Sequence, residues 1–148
     1  MPEPGYLVDS NVFLRWFVRQ IGWEHAREIR GGYVGGTVVL ETVDSVRVEL
    51  AHVLRTKGLL LGRLSRDQYL NAVRVVDDLD IAVHATDADA LSRAAALAAD
   101  RSLRVFDALV VDRALQRGLP LLTSDVKLVR AVGGLLPTEL LRGLDGSR

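Results

Sequence analysis

The stretch Tyr6-Leu7-Val8-Asp9-Ser10-Asn11 predicts the centre of the fold. Three apolar or aromatic residues run directly into an acid, and a helical pattern begins after it. This order is typical of a buried strand that places a carboxylate at its carboxyl end, where open α/β sheets bind ligands. A carboxylate there is unfavourable unless a cation, a hydrogen bond or a proton compensates its charge. Asp9 is therefore the first candidate for a functional site.

Strand and helix patterns alternate along the rest of the chain. Runs of apolar and β-branched residues predict strands at 6–8, 37–43, 80–84 and 119–123, and a weaker edge strand at 133–137. Apolar residues at helical spacing predict helices at 11–20, 24–30, 46–55, 66–79, 87–100 and 107–117, and a short helix after residue 125. Ser10 and Ser65 are predicted N-caps, and the glycine-rich residues 31–36 a flexible connection. We expect one domain over residues 1–148, a three-layer α/β/α fold with a mostly parallel sheet.

The composition narrows the class of protein. A chain of 148 residues that is 49% hydrophobic can bury a substantial core. It contains no cysteine, so a disulfide framework or a thiolate site is excluded. We find neither a signal-peptide pattern nor an apolar run of the roughly 18 residues that a membrane span requires. These features predict a cytoplasmic protein without a membrane partner.

Four acids stand out by their positions. Asp9 and Asp125 each follow an apolar strand, Glu49 borders the apolar stripe of a helix, and Asp107 lies in the first turn of another. If the sheet is parallel, the first two acids lie at one edge, and helices entering from that edge can bring the other two near. Packed carboxylates repel one another unless a divalent cation compensates them. A site made only of oxygen ligands suits Mg²⁺ or Mn²⁺, which can activate water against a phosphodiester.

Each acid also has a purely structural interpretation. Asp9 is equally compatible with a turn or cap residue, and Asp125 with a cap of the helix that follows it. Asp107 is in the first turn of a helix, where the helix dipole favours a negative charge. Glu49 is close in sequence to arginines with which it can form an ion pair. The hypothesis of a metal site therefore depends on the coincidence of all four acids.

Four short motifs occur in order along the chain: Leu7-Val8-Asp9-Ser10-Asn11-Val12, Val46-Arg47-Val48-Glu49-Leu50, Phe106-Asp107-Ala108-Leu109-Val110 and Leu121-Leu122-Thr123-Ser124-Asp125. Together they resemble the motifs of the PIN-domain ribonucleases, most closely the toxins of VapBC-type toxin–antitoxin pairs. No motif is specific alone, but the four in this order cover nearly the whole chain.

The resemblance implies a five-stranded parallel sheet flanked by helices and an RNA-cleaving site that requires Mg²⁺ or Mn²⁺. The substrate would be structured RNA such as tRNA or rRNA, hydrolysed by metal-activated water. The resemblance also implies a homodimer and a cognate antitoxin that blocks the site. It assigns the metal and the catalysis to Asp9, Glu49, Asp107 and Asp125, and the orientation of these carboxylates to Asn11 and Thr123.

The net charge of zero counts against a strongly electrostatic, non-specific nucleic-acid binder and leaves affinity for RNA unexplained. Arginine binds phosphate bidentately and stacks on bases. We therefore predict that arginines close to the motifs in sequence contact the substrate, in particular Arg15 and Arg47.

Three other functions share parts of this pattern. A receiver-type signalling domain also has an acid after its first strand, but it requires paired acids where Val8 precedes Asp9. A phosphatase of the Asp-x-Asp class requires a second aspartate where Asn11 stands. A catalytically inactive PIN-like module that binds RNA or protein has the same fold, and the complete acidic set argues against it.

Overall fold

The computed structural model describes residues 3–146, and these contain one five-stranded sheet. Its order is β3-β2-β1-β4-β5, and every neighbouring pair is parallel. The prediction of an α/β fold with a parallel sheet is confirmed. The strands are β1 (Gly5–Val8), β2 (Val39–Val43), β3 (Ala82–His84), β4 (Leu121–Thr123) and β5 (Thr138–Leu140).

Eight α-helices flank this sheet within residues 3–146. They are α1 (Ser10–Leu14), α2 (Trp23–Val34), α3 (Asp44–Leu54), α4 (Arg66–Ala72), α5 (Val75–Asp78), α6 (Ala88–Arg101), α7 (Val105–Arg117) and α8 (Val126–Ala131). Helix α3 continues into a π-helical segment, Arg55–Leu59. Helix α7 packs on β1 and β2, and α1 packs on α3. No helix in the described range combines the length and apolarity needed to cross a membrane.

Strand β1 is the centre of the sheet. Leu7 and Val8 are fully buried, and Leu7 is in register with Glu41 of β2 on one side and Leu121 of β4 on the other. The strand order reverses at β1, because β2 and β4 lie on its two sides, and such a reversal opens a crevice at the carboxyl edge. Asp9 follows β1 at that edge. Helix α7 leads back to the start of β4, so its first turn lies at the same edge.

The first helix is shorter than predicted. It ends at Leu14 instead of residue 20, and the next backbone bonds, such as Trp16 N to Phe13 O at 3.1 Å, are of the tighter three-residue type. Trp16 is nevertheless buried, and its indole N–H donates to Ala26 O at 2.8 Å. The predicted N-cap Ser10 is also wrong, because Asp9 caps α1 and Ser10 is its first helical residue.

The predicted flexible segment 31–36 is partly helical. Helix α2 runs through Gly31 and Gly32 to Val34. At Gly32 a Cβ atom would lie only 3.1 Å from Val38 Cγ1, so glycine permits the helix to approach the start of β2 closely. Here tertiary packing outweighs the low helix propensity of glycine.

Two further boundaries differ from the prediction. The edge strand is β5, residues 138–140, instead of 133–137. Pro137 has no N–H and contributes only its carbonyl, which accepts from Leu121 N at 3.0 Å, so the strand begins after it. The predicted helix 66–79 is divided into α4 and α5. The predicted N-cap Ser65 is confirmed and forms a capping box, since Ser65 Oγ accepts from Gln68 N and Gln68 Oε1 accepts from Ser65 N.

A buried acid in β2 is held by an arginine and a histidine. Glu41 accepts from Arg117 through both carboxylate oxygens, at 2.8 and 3.2 Å, and lies 2.6 Å from His84 Nε2. The hydrogen bond from Arg117 lowers the pKa of Glu41 below its ordinary value, against the opposing effect of burial. This cluster ties β2 to β3 and to the end of α7.

We expect Glu41→Gln to lower the free energy of unfolding at pH 7 by about 1 to 2 kcal/mol, because the charge-assisted bonds are lost. The pKa of Glu41 is lower in the folded chain than its unfolded value of 4.5. The contribution of Glu41 to the free energy of unfolding is therefore complete above pH 4.5 and disappears as the pH falls through the pKa of the folded chain. Urea unfolding of wild type and Glu41→Gln should show a smaller difference in the free energy of unfolding at pH 3.5 than at pH 7. Exposed Glu3→Gln is the control, and a difference that does not change with pH would contradict the assignment.

Candidate active site

Asp9 is anchored through both of its carboxylate oxygens. Its Oδ1 accepts from Ser10 N at 2.8 Å, and its Oδ2 accepts from Asn11 Nδ2 at 3.1 Å and from Thr123 Oγ1 at 3.0 Å. The residue is only 3% exposed. Because the bonds come from α1 and from β4, the carboxylate is fixed in the crevice between β1 and β4.

Asn11 and Thr123 join the ends of the two central strands. Thr123 Oγ1 accepts from Asn11 Nδ2 and from Asp125 N, each at 3.1 Å, while it donates to Asp9. Asn11 Oδ1 accepts from Ser124 N at 2.9 Å. The donor and both acceptor positions of the threonine hydroxyl are thus used. These two residues lie where they can orient Asp9, the role that the sequence motifs predicted for them.

Glu49 and Asp107 lie beside Asp9 and are linked to it by a chain of hydrogen bonds. Ser10 Oγ donates to Glu49 Oε1 at 2.5 Å, and Arg104 Nη2 donates to Glu49 Oε2 at 3.1 Å. Arg104 also bonds both oxygens of Asp107, through Nη2 at 3.1 Å and Nε at 3.2 Å. Three of the four predicted acids therefore converge at the carboxyl edge of the sheet.

The electrostatics of Asp9 reflect this crowding. Burial, together with the nearby charges of Glu49 and Asp107, raises the pKa of Asp9 to about 7. The hydrogen bonds from Ser10 and Thr123 act in the opposite direction but do not cancel it. A cation beside these carboxylates would favour their charged forms.

The fourth acid is less closely joined. Asp125 caps α8, and its Oδ1 accepts from Leu128 N at 3.1 Å, which is the structural role considered for it above. Its backbone N–H donates to Thr123 Oγ1, so the residue lies at the same edge as Asp9. Its carboxylate does not take part in the hydrogen-bonded chain that runs from Asp9 to Asp107.

Two residues of this site were missed by the sequence analysis. Ser10 was assigned a capping role, yet its hydroxyl links Asp9 to Glu49 across 39 residues of sequence. Arg104 lies between the predicted helices 87–100 and 107–117, yet it is the N-cap residue of α7 and bonds two of the acids. The sequence does contain a signal for the contact between Arg104 and Asp107, because side chains three residues apart meet on a helix.

The structure counts against both arginines predicted to bind substrate. Arg15 is 8% exposed, and its guanidinium donates to Asn11 O at 2.8 Å and Ile21 O at 2.7 Å, so it holds the backbone after α1. Arg47 is exposed but pairs with Asp77 at 2.7 Å. It is two residues from Glu49, so it points away from the acids around the helix.

The donor set fits a hard divalent cation in its chemistry, since the three convergent acids offer only carboxylate oxygens. As the side chains stand within residues 3–146, no three His, Cys, Asp or Glu residues are arranged so that they could hold a metal ion. A guanidinium compensates the charge of these acids instead of a metal ion, because Arg104 bridges Glu49 and Asp107. The residues fit a metal on the condition that Arg104 moves away from them.

The sequence matches the PIN domain family over residues 6–134. This match covers most of the chain, and its span includes all four acids and the two residues that orient Asp9. The protein therefore belongs to the PIN domain family, as the motifs predicted. No curated protein matches the sequence.

Several solved structures share the fold. PAE2754 from Pyrobaculum aerophilum is 20% identical, with a TM-score of 0.66 over 93% of this chain and 92% of that chain. A toxin–antitoxin complex from Klebsiella pneumoniae is 16% identical, with a TM-score of 0.62 over 90% and 95%. VapBC2 from Rickettsia felis, bound to a DNA fragment from their promoter, is 13% identical, with a TM-score of 0.63 over 92% and 98%. At these identities the comparison establishes the similarity of the fold.

Proposed function

We propose that this protein is a divalent-metal-dependent endoribonuclease and the toxin of a toxin–antitoxin pair. The observation that carries the proposal is the convergence of Asp9, Glu49 and Asp107 at the strand-order reversal of a PIN domain. Two of the solved structures with this fold are described as a toxin–antitoxin complex and as VapBC2, which supports the biological context.

In this proposal the three convergent acids hold Mg²⁺ or Mn²⁺, and Asp125 approaches from the end of β4. The bound ion would supply neutralisation of the phosphodiester charge and activation of water for its hydrolysis to 5′-phosphate and 3′-hydroxyl ends. Ser10 keeps Asp9 and Glu49 at a fixed separation, because it donates to both. Asn11 and Thr123 fix the direction of the Asp9 carboxylate, and such supporting bonds are important at metal sites.

The proposed partners follow from the same assignment. The substrate is RNA, with tRNA or rRNA as the first candidates, so the protein would act in the cytoplasm. The partner protein is a cognate antitoxin that blocks the acidic edge, and we expect the toxin itself to form a homodimer. Light scattering of the purified chain, alone and after co-expression with the product of the adjacent reading frame, tests both associations.

A catalytically inactive PIN-like binding module is the second candidate. One observation favours it, namely the guanidinium of Arg104 between Glu49 and Asp107, where a metal would require the carboxylates. The receiver domain and the Asp-x-Asp phosphatase are not retained, since the family match assigns the chain to PIN domains.

The test is cleavage of purified RNA by the purified chain. We expect Mg²⁺ or Mn²⁺ to support discrete cuts in tRNA or rRNA, and a chelator to stop them. Fragments should accept ligation through their 5′-phosphates, because hydrolysis by water leaves that group on the downstream piece. Zn²⁺ should support less cleavage, since the site offers no nitrogen or sulfur ligand.

Exposed Asp100→Asn is the matched control and should cut at the wild-type rate. Cleavage that persists in chelator with 2′,3′-cyclic ends would reject the proposed reaction. RNA binding without any cleavage, in every metal tried, would favour the inactive module.

A further inference from the structure

Arg104 is the one cationic side chain seen to contact the convergent acids within residues 3–146. It makes three hydrogen bonds, one to Glu49 and two to Asp107, at 3.1 to 3.2 Å. The two carboxylate side chains are 17% and 14% exposed, whereas the arginine side chain is 65% exposed. The acids are thus held within the protein, and the arginine reaches them from the solvent side.

A divalent cation and this guanidinium compete for the same carboxylates. Glu49 offers one oxygen to Ser10 and the other to Arg104, and both oxygens of Asp107 are bonded to Arg104. A metal that binds these acids therefore has to share their oxygens with Arg104 or displace it. The charge repulsion between the two cations favours displacement.

We propose that Arg104 is a substrate-positioning residue that exchanges partners: it neutralises Glu49 and Asp107 before a divalent cation binds, and it contacts a substrate phosphate afterwards. This inference rests on the proposed function, because it assumes that the acids hold the metal. It assigns phosphate binding to a residue that neither the sequence motifs nor the predicted arginines Arg15 and Arg47 included.

The second half of the exchange follows from the position of the side chain. Its guanidinium starts beside the acids, so a released Arg104 remains within one side-chain length of any phosphate held there. Arginine offers two parallel N–H groups that match two phosphate oxygens. The exposed surface around it allows the side chain to move without opening the core, since its neighbours Val105 and Phe106 are also exposed.

Metal affinity tests the first half. Isothermal titration of Mn²⁺ into the metal-free chain should show Arg104→Gln binding about tenfold more tightly than wild type, because surface ion pairs of modest strength no longer compete. Arg104→Lys retains the charge and should remain close to wild type. Arg101→Gln, an exposed arginine at the end of α6, should leave the affinity unchanged.

Phosphate affinity tests the second half. Adenosine 5′-monophosphate carries the product-like 5′-phosphate and has no bond for this reaction to cleave. In saturating Mn²⁺ we expect it to bind Arg104→Gln about tenfold more weakly than wild type, since a charge-assisted bond is lost. A purely structural role would weaken metal and nucleotide binding together and lower the unfolding midpoint, so the opposite signs are the diagnostic result.

The two proposals fail in different ways. If wild type binds Mn²⁺ and Arg104→Gln binds it no more tightly, or binds the nucleotide as well as wild type does, the exchange is rejected and the nuclease assignment stands. If neither protein binds Mn²⁺, the metal-dependent function is rejected and the exchange with it. Binding of Mn²⁺ by the variant alone would show that Arg104 blocks the metal without exchanging partners, which rejects the exchange and favours the inactive module.

Discussion

Asp9→Asn is expected to abolish RNA cleavage while the protein remains folded. Asp9 is the most buried of the four predicted acids, and its two oxygens accept three hydrogen bonds from residues of α1 and β4. Loss of an outer partner at a metal site typically costs about 10- to 100-fold in affinity or activity, and loss of a ligand should exceed that. We therefore expect kcat/KM to fall by more than about 100-fold.

The effect on stability should be small because two changes oppose each other. The neutral amide removes the cost of burying a charge next to Glu49 and Asp107. The amide nitrogen, however, replaces one of the two oxygens, so at least one of the three donors to Asp9 loses its acceptor. We expect the free energy of unfolding to stay within about 1 kcal/mol of wild type.

Initial rates of cleavage in Mg²⁺, with urea unfolding of the same preparations, measure both quantities. Asp100→Asn controls for the loss of one acidic charge at the surface. Equal cleavage by Asp9→Asn and wild type would remove Asp9 from the site and with it the basis of the proposed mechanism.

Thr123→Val should lose activity and stability together. The substitution preserves shape, but it deletes the donor to Asp9 Oδ2 and the acceptor for Asn11 Nδ2 and Asp125 N. Because Thr123 is fully buried, water cannot replace these bonds. We expect kcat/KM to fall by about 10- to 100-fold, as for other partners that orient metal ligands. We expect the free energy of unfolding to fall by about 1 to 3 kcal/mol, because buried polar groups are left without hydrogen-bond partners.

Thr42→Val is the matched control. Thr42 is also fully buried in the sheet, and its hydroxyl donates at 2.8 Å to Val8 O, a backbone carbonyl instead of a carboxylate. The Thr42→Val protein should lose about 1 kcal/mol of stability and keep its activity. Thr123→Ser retains the hydroxyl and should recover most of the rate. If Thr42→Val and Thr123→Val reduce cleavage equally, the loss reflects destabilisation and not the orientation of Asp9.

The sequence could predict the strand ends and the acids that follow them. Apolar runs such as Leu7-Val8 fix which residues are buried, and a parallel sheet gathers their carboxyl ends at one edge. That reasoning puts Asp9 and Asp125 at the same edge and allows the helices that enter there to bring Glu49 and Asp107 near them. The positions of Asn11 and Thr123 came from the motif resemblance, since spacing alone does not show that the two side chains meet.

What sequence reasoning missed depends on contacts between elements that lie far apart in the chain. The guanidinium of Arg104 meets Glu49, 55 residues earlier, because α7 and α3 pack together. Arg15 lies close to the first motif in sequence, which suggested contact with the substrate. Its side chain instead turns inward and donates to backbone carbonyl groups. Glu41 was not expected at all, because only the fold brings Arg117 and His84 to it.

The pairing of β1 with β4 also bears on when the proposed site is completed during synthesis. Asp9 leaves the ribosome early, but Thr123, which bonds its carboxylate, follows 114 residues later. Until the second of these central strands docks, the nascent polypeptide lacks one wall of the crevice. Under the proposed function, cleavage would therefore begin only after nearly all of the described chain has emerged.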